Sequence, residues 1–361
     1  MVDPEKLLLP HAILEKKDST ALDYFYRWSQ SFDNMEKVDA DSFHLLPLLY
    51  KRLVSTPKPV PYLKQLEGIY RLCLMRNSML FHKAFSIFDG LKKIGVPFIT
   101  IKGGALVAAY YEDIGARMIS DVDFLVREQD FEKTLRFLKE RGWNSKYGWL
   151  LNNPAKFIHS LCLRNSEGFE FDVHWRAFYQ CPWDGADLAL WDHTEEVAFQ
   201  GKTIRILNTT QQMLHNCVQG VPWNAVPSIR WIVDVMKILE KRSGSINWEL
   251  LVSESSTRNL SLTMWHTLNF LKSEFHADIS DEVLESLKQL PKDIREIRLF
   301  DILTSPPSFG NNFRKKWLIH GFGVGDVSNC KKMLLFLGFL KKDFHQKPSH
   351  LRERIKKWFM W

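Results

Sequence analysis

The sequence predicts an α+β protein. A mixed β-sheet with helices occupies residues 95–207, helical regions at 1–94 and 208–304 flank it, and a basic tail follows at 305–361. Three observations lead there. Apolar residues recur at three- and four-residue spacing between residues 5 and 93, the signature of helices with one buried face. Between 96 and 175 the pattern changes to short β-rich runs alternating with helical ones, then a hairpin, which suits a mixed sheet. From about residue 208 the helical spacing returns.

Each element has its own justification. "LDYFYRWSQSF", "SFHLLPLLYKRLV" and the long "YLKQLEGIYRLCLMRNSMLFHKAFSIFDGLKKIG" read as helices. Pro57, Pro59 and Pro61 separate the second from the third, and Gly95 closes the third as a C-terminal glycine. "VPFITI" (96–101) is a strand, "GGALVAAYY" (103–111) a helix entered through glycines, and "DVDFLV" (121–126) a second strand. "DFEKTLRFLKERG" (130–142) is an amphipathic helix ended by Gly142. "FIHSLCLRN" and "FEFDVHW" flank Ser166, Glu167 and Gly168 as a β-hairpin. Thr209 and Gln212 fit a capping box that opens "TTQQMLHNCVQG". "SIRWIVDVMKILEK" puts Ile229, Ile232, Val233, Met236 and Leu239 on one helical face, and "TSPPSFGNN" (304–312) reads as a linker.

Composition limits the function classes. Five cysteines are scattered with no C-x-x-C pair, which argues against a zinc site or disulfide framework and for a reducing compartment. The charged N-terminus lacks a signal-peptide core, and the most apolar run, "MLLFLGFL" (333–340), is far too short to span a bilayer, which needs about 20 residues. The expected location is the cytoplasm. Of the net charge of +7, the tail carries +9 and the rest of the chain −2. The tail interleaves basic pairs with aromatics and leucines. It fits a docked terminal helix, a surface for RNA or another polyanion, or one for an anionic membrane.

The residues with chemical potential cluster in "TIKGGALVAAYYEDIGARMISDVDFLV" (100–126). Alternate strand residues share a face, so Asp121 and Asp123 point one way while Val122 and Phe124 point into the sheet. Adjacent carboxylates repel, and a hard divalent cation such as Mg²⁺ removes that repulsion while binding phosphate oxygens. Gly103 and Gly104 allow positive φ or close approach of a ligand, and a glycine turn opening a helix offers free N–H groups to phosphate. In "EFDVHW", Glu170, Asp172 and His174 share one face, exposed or lining a cleft, and Phe169, Phe171, Val173 and Trp175 the other. If this strand lies beside 121–126, Asp172 becomes a third carboxylate, and three carboxylates suit two metal ions ~4 Å apart for in-line phosphoryl displacement.

The order strand, Gly-Gly, helix, D-x-D strand, helix, hairpin with one Asp resembles the nucleotidyltransferase superfamily of DNA polymerase β. Within it the chain is similar to the bacterial uncharacterised nucleotidyltransferase family over roughly residues 20–245. The likeness rests on Lys102-Gly103, Leu106, Tyr110 or Tyr111, Arg117, Ser120-Asp121-Val122-Asp123-Phe124-Leu125-Val126, then Asp172-Val173-His174-Trp175, His215, Arg230-Trp231 and Asp234. The resemblance implies a nucleotidyltransferase-type sheet and a transferase that moves a nucleoside monophosphate from an NTP to an acceptor with release of pyrophosphate. The resemblance does not single out the acceptor: an RNA, a protein, a small molecule and a cell-surface polymer precursor are all candidates. Asp121, Asp123 and Asp172 would be the catalytic carboxylates holding Mg²⁺ or Mn²⁺, two ions in all. Asp172 would also activate the attacking hydroxyl. Gly103, Gly104, Lys102, Arg117 and Ser120 would bind the nucleotide, and His174 (as a support behind the ligands), His215, Arg230 and Asp234 would serve the surroundings or the acceptor. Arg230 and Asp234 alternatively form a surface i,i+4 ion pair. Two other readings fit the same residues: a non-catalytic nucleotide- or partner-binding descendant, and a D-x-D glycosyltransferase, which the preceding Gly-Gly disfavours.

Overall fold

The computed structural model describes residues 3–145, 159–221 and 228–305. The tail from 306 and most of the 304–312 linker, with the readings attached to them, lie outside the described residues.

Five helices come first: α1 (Pro4–Leu14), α2 (Asp18–Ser29), α3 (Ala40–Phe43), α4 (Leu46–Leu53) and the long α5 (Leu63–Lys93). The three-proline stretch separates α4 from α5, and Gly95 adopts φ +68° just beyond α5. The central region then runs β1 (Phe98–Ile101), α6 (Lys102–Ala109), β2 (Asp121–Val126), α7 (Phe131–Lys139), β3 (Asn144–Ser145), β4 (Ser160–Arg164), β5 (Glu170–His174), α8 (Leu188–Asp192), β6 (Thr194–Phe199) and β7 (Lys202–Leu207). Helices α9 (Thr209–Val218), α10 (Arg230–Arg242), α11 (Trp248–Thr257), α12 (Ser261–Phe275), α13 (Asp281–Gln289) and α14 (Ile294–Thr304) complete it. The α+β class stands. One start signal is corrected: Asn208, not Thr209, caps α9, its side-chain oxygen accepting from Gln211 N–H. An Asn one residue upstream does the same chemistry as the expected Thr.

Among the described residues the strands form one sheet in the order β3-β4-β5-β2-β1-β7-β6. Pairing is mixed. β1 runs antiparallel to β2 and parallel to β7, and β2 runs parallel to β5. The expected hairpin is β4–β5. β1 is buried at all four residues, as a central strand covered on both faces should be.

The period-two alternation sorts the sheet's two faces. Phe98, Val122, Phe124, Phe171, Val173 and Trp175 pack with Phe81, Ile87, Phe88 and Leu91 of α5 in one cluster. Many of the chain's aromatics meet here: Phe88 stacks on Phe98 at 4.5 Å, Phe124 meets Phe171 edge-on at 6.1 Å, and Trp143 stacks on Phe171 at 4.2 Å. Ile99, Ile101, Leu125 and Leu207 belong to the other cluster, with Met213 and Leu214 of α9 and Ile232, Val235 and Ile238 of α10. Asp121, Asp123, Asp172 and His174 alternate with the first set. They therefore sit on the sheet face that the α9–α10 helices cover.

Candidate functional site

The parallel pairing of β2 and β5 places Asp123 directly opposite Asp172, with Asp121 opposite Glu170 and Leu125 opposite His174. The third carboxylate thus lies beside the D-x-D pair. The expectation for the polar face of β5 needs amendment, because His174 is fully buried. Its Nε2 lies 3.1 Å from Asp123 Oδ1 and 3.0 Å from Asp172 Oδ2. His174 is therefore not a support behind the carboxylates but a member of their cluster. Asp123, Asp172 and His174 offer ligand atoms within 4.8 Å of one another, so these three could hold a metal ion. Asp121 stands at the strand's start, outside this tight group, and Ser120 Oγ donates to its Oδ1 at 3.0 Å.

Lys102, the first residue of α6, reaches into the cluster. Its Nζ lies 2.6 Å from Asp123 Oδ1, 3.7 Å from Asp172 Oδ2 and 3.0 Å from His174 Nε2. The charges bias one another. Burial opposes ionisation of Asp123 and Asp172, but Lys102 and His174 outweigh it and hold both carboxyls below their usual range. Burial also opposes a charge on Lys102 and His174, and the carboxylates raise both regardless. Asp121 goes the other way: burial first and the Asp123 charge second push it up to about 6.

The glycines do not use their conformational freedom. Positive φ falls instead on Lys102, at +51°. What Gly103 and Gly104 supply is thinness. A Cβ on Gly103 would stand 2.7 Å from Arg117 Nη1 and 2.8 Å from Ile119 Cγ2, and one on Gly104 3.1 Å from Thr100 Cγ2. Both lie in the first turn of α6, which has no side-chain cap, so its leading N–H groups have no side-chain acceptor.

Arg117 adjoins the glycine turn, but its guanidinium is engaged elsewhere. Nε and Nη2 donate to Asp234 Oδ1 and Oδ2 at 2.7 and 2.8 Å, and Tyr111 Oη donates to the same Oδ1 at 2.8 Å. The i,i+4 pair between Arg230 and Asp234 is thereby overturned: Asp234 is buried against Arg117, and Arg230 pairs with Asp41 at 3.4 Å. Both line a narrow crevice with His44, Tyr111 and Arg117. A larger cavity of about 250 Å³ shares Leu48, Tyr111 and Ala116 with that crevice. His215 is buried in α9 with its ring 5.4 Å from Phe178, and burial, with smaller effects from Lys102 and His174, pushes its pKa down to about 3.

One positioning residue escaped sequence reading. Asn77, buried in α5, donates to the carbonyls of Ile114 and Arg117 at 2.6 and 2.8 Å. It pins the segment between α6 and β2 that carries Arg117 to the glycine turn. A lone Asn on an otherwise apolar helix face was the available signal.

Residues 40–276 match the family described as uncharacterised nucleotidyltransferase. The chain belongs to that family. Among solved structures it is similar to the lincosamide antibiotic adenylyltransferase LnuA in its lincomycin-bound form, at 16% identity and TM-score 0.32, over 44% of this chain and 94% of that one. It is also similar to an antigenic nucleotidyltransferase-like protein from Paracoccidioides brasiliensis, at 13% identity and TM-score 0.34, over 63% and 95%. No curated protein matches. Among the described residues, no helix of this nucleotidyltransferase-family chain is long and apolar enough to cross a membrane.

Proposed function

We propose that this family member is an active nucleotidyltransferase that moves a nucleoside monophosphate from an NTP to an acceptor hydroxyl or phosphate and releases pyrophosphate, using Mg²⁺ or Mn²⁺. The observation that carries the reading is the register of β2 against β5, which opposes Asp123 and Asp172 beside a glycine-opened helix.

The residues fit a divalent cation on three counts. Two carboxylates and an imidazole converge. Asp172 Oδ1 is buried without a hydrogen-bond partner. And the cluster already attracts a cation, the Lys102 ammonium. Asp123, Asp172 and His174 would hold one ion, and Asp121 with Asp123 a second. Bound there, the metal supplies charge neutralisation on the phosphates and lowers the pKa of the attacking hydroxyl.

The remaining work belongs to the chain. The N–H groups of the first turn of α6, at Gly103 and Gly104, receive phosphate oxygens, and Arg117 adds positive charge beside them. Ser120 holds Asp121 in place. Asp172 accepts the hydroxyl proton as the acceptor oxygen attacks the α-phosphorus. The bond from that phosphorus to the α,β-bridging oxygen breaks, and its electron pair leaves with that oxygen on pyrophosphate. Catalysis of this kind is mostly positioning and charge stabilisation. His215, buried in α9, shapes the surroundings, and the acceptor (RNA, protein or small molecule) enters by the crevice that Arg230 and Asp234 line. A cytoplasmic setting fits the free thiols of Cys73, Cys181 and Cys217.

The test is incubation with each α-³²P-labelled NTP, Mg²⁺ or Mn²⁺ and total cell extract. Label in one product class is expected, with Asp121→Ala, Asp123→Ala and Asp172→Ala each losing ~10³-fold or more, the equivalent of several kcal/mol of lost stabilisation. Wild-type labelling by the Asp123→Ala and Asp172→Ala variants would refute the assignment. Protection by UDP-sugar rather than NTP would turn it toward glycosyl transfer.

A further inference from the structure

Two independent features single out Lys102. Its ammonium sits amid the three groups that form the cation site, 2.6 Å from Asp123 Oδ1, 3.0 Å from His174 Nε2 and 3.7 Å from Asp172 Oδ2. Its backbone is also left-handed, φ +51°, a conformation costly for a residue with a Cβ. Gly103 and Gly104 follow immediately and would adopt it freely. The chain nevertheless puts a long cationic side chain, not a glycine, at the strained position, and the strain aims it at the carboxylates.

A divalent ion and this ammonium cannot share the cluster, since two cations would compete for the same oxygens. Nor is the lysine locked in. About a third of its side chain is exposed, and its stem is flexible. The glycine turn at which phosphates are expected follows it directly in the chain.

We propose that Lys102 is an exchangeable cation. It holds Asp123 and Asp172 together in the empty protein, is displaced when the metal–nucleotide complex binds, and then pairs with the nucleotide's phosphates. The proposal rests on the nucleotidyltransferase reading. It adds a specific consequence: metal and nucleotide bind cooperatively, because the displaced ammonium regains a partner only when phosphate is present. Couplings between two ligands of this sort are typically about 5–150-fold and reciprocal.

The experiment measures Mn²⁺ binding to the full chain by electron paramagnetic resonance, with and without a non-hydrolysable NTP analogue. Wild type is expected to bind Mn²⁺ weakly alone and at least about 5-fold more tightly with the analogue. Lys102→Met should bind Mn²⁺ alone at least about tenfold more tightly than wild type and lose the nucleotide effect. Its metal-free melting temperature should fall and recover with Mn²⁺. Lys102→Gln, neutral but polar, should behave likewise and covers the case in which the Met variant fails to fold. Lys102→Arg should stay near wild type. Equal or weaker Mn²⁺ binding by both neutral variants, with binding still abolished by Asp123→Asn, overturns the exchange and leaves the cation site standing. No Mn²⁺ binding by any form overturns the cation site itself.

Discussion

Breaking the Arg117–Asp234 pair should destabilise the protein far more than a typical ion-pair deletion. Asp234→Leu removes both acceptors of a two-point pair at 2.7 and 2.8 Å and the acceptor for Tyr111 Oη, in a place where the two charged side chains are only 14% and 7% exposed. The guanidinium left behind cannot rotate into solvent without dragging the segment that Asn77 pins, so its charge stays buried and unpaired. Removing one partner of a buried pair costs about 3–5 kcal/mol, against at most ~1 for an exposed pair. Arg117→Met should cost a similar amount by stranding Asp234. The double variant replaces the pair with apolar volume and should recover at least ~2 kcal/mol relative to the sum of the single losses. Urea unfolding followed by tryptophan fluorescence and by circular dichroism reads all four free energies and checks that the two probes coincide. A loss under ~1 kcal/mol for Asp234→Leu, or a double variant whose loss equals the sum, would refute the argument. Because Arg117 Nη1 abuts Gly103, both single variants should also weaken nucleotide binding.

Gly103→Ala puts a methyl group within 2.8 Å of Arg117 and Ile119 and should cost about 1–3 kcal/mol together with nucleotide affinity; unchanged nucleotide titrations would count against the close approach. Asn77→Leu strands two part-buried carbonyls and should lose roughly 1–3 kcal/mol, read by the same urea titrations, where a loss below ~0.5 would show that the loop holds itself. Acid should unfold the protein partly through His215 and His159, both pushed down to about 3, chiefly by burial. The unfolded chain takes protons on these rings below about pH 6.5 and the folded one does not. This contribution is therefore fully present above pH 6.5 and is lost as pH falls toward 3, at up to ~1.4 kcal/mol per unit per ring. His215→Gln should flatten that slope by about one ring's share, and an unchanged slope between pH 6.5 and 4 would contradict it.

Much of the site was legible because strand alternation is local. Once "DVDFLV" and "EFDVHW" are strands, the facing of Asp121, Asp123, Asp172 and His174 follows from a period of two, and the aromatic residues between them supply the opposite face. The glycine turn was legible as well, though its reason was not. Arg117 and Ile119, not a left-handed backbone, demand the missing Cβ, and they arrive from beyond the end of α6.

By itself, then, the sequence determined the family, most of the element types, though not the β6–β7 hairpin, and the faces of the strands it showed, all properties of short windows or of residue order. The tertiary structure decided which charges meet. Asp123 faces Asp172 because β2 and β5 pair in parallel, a contact that needs a long crossover and has no signature in either strand. His174 joins the carboxylates instead of standing behind them, and Arg117 finds Asp234 far along the chain on α10. Even the cation at the centre was a tertiary outcome. Lys102 looked like a residue for phosphate, and only folding set its ammonium against Asp123, since opposite charges brought onto one covered sheet face have no better partner than each other.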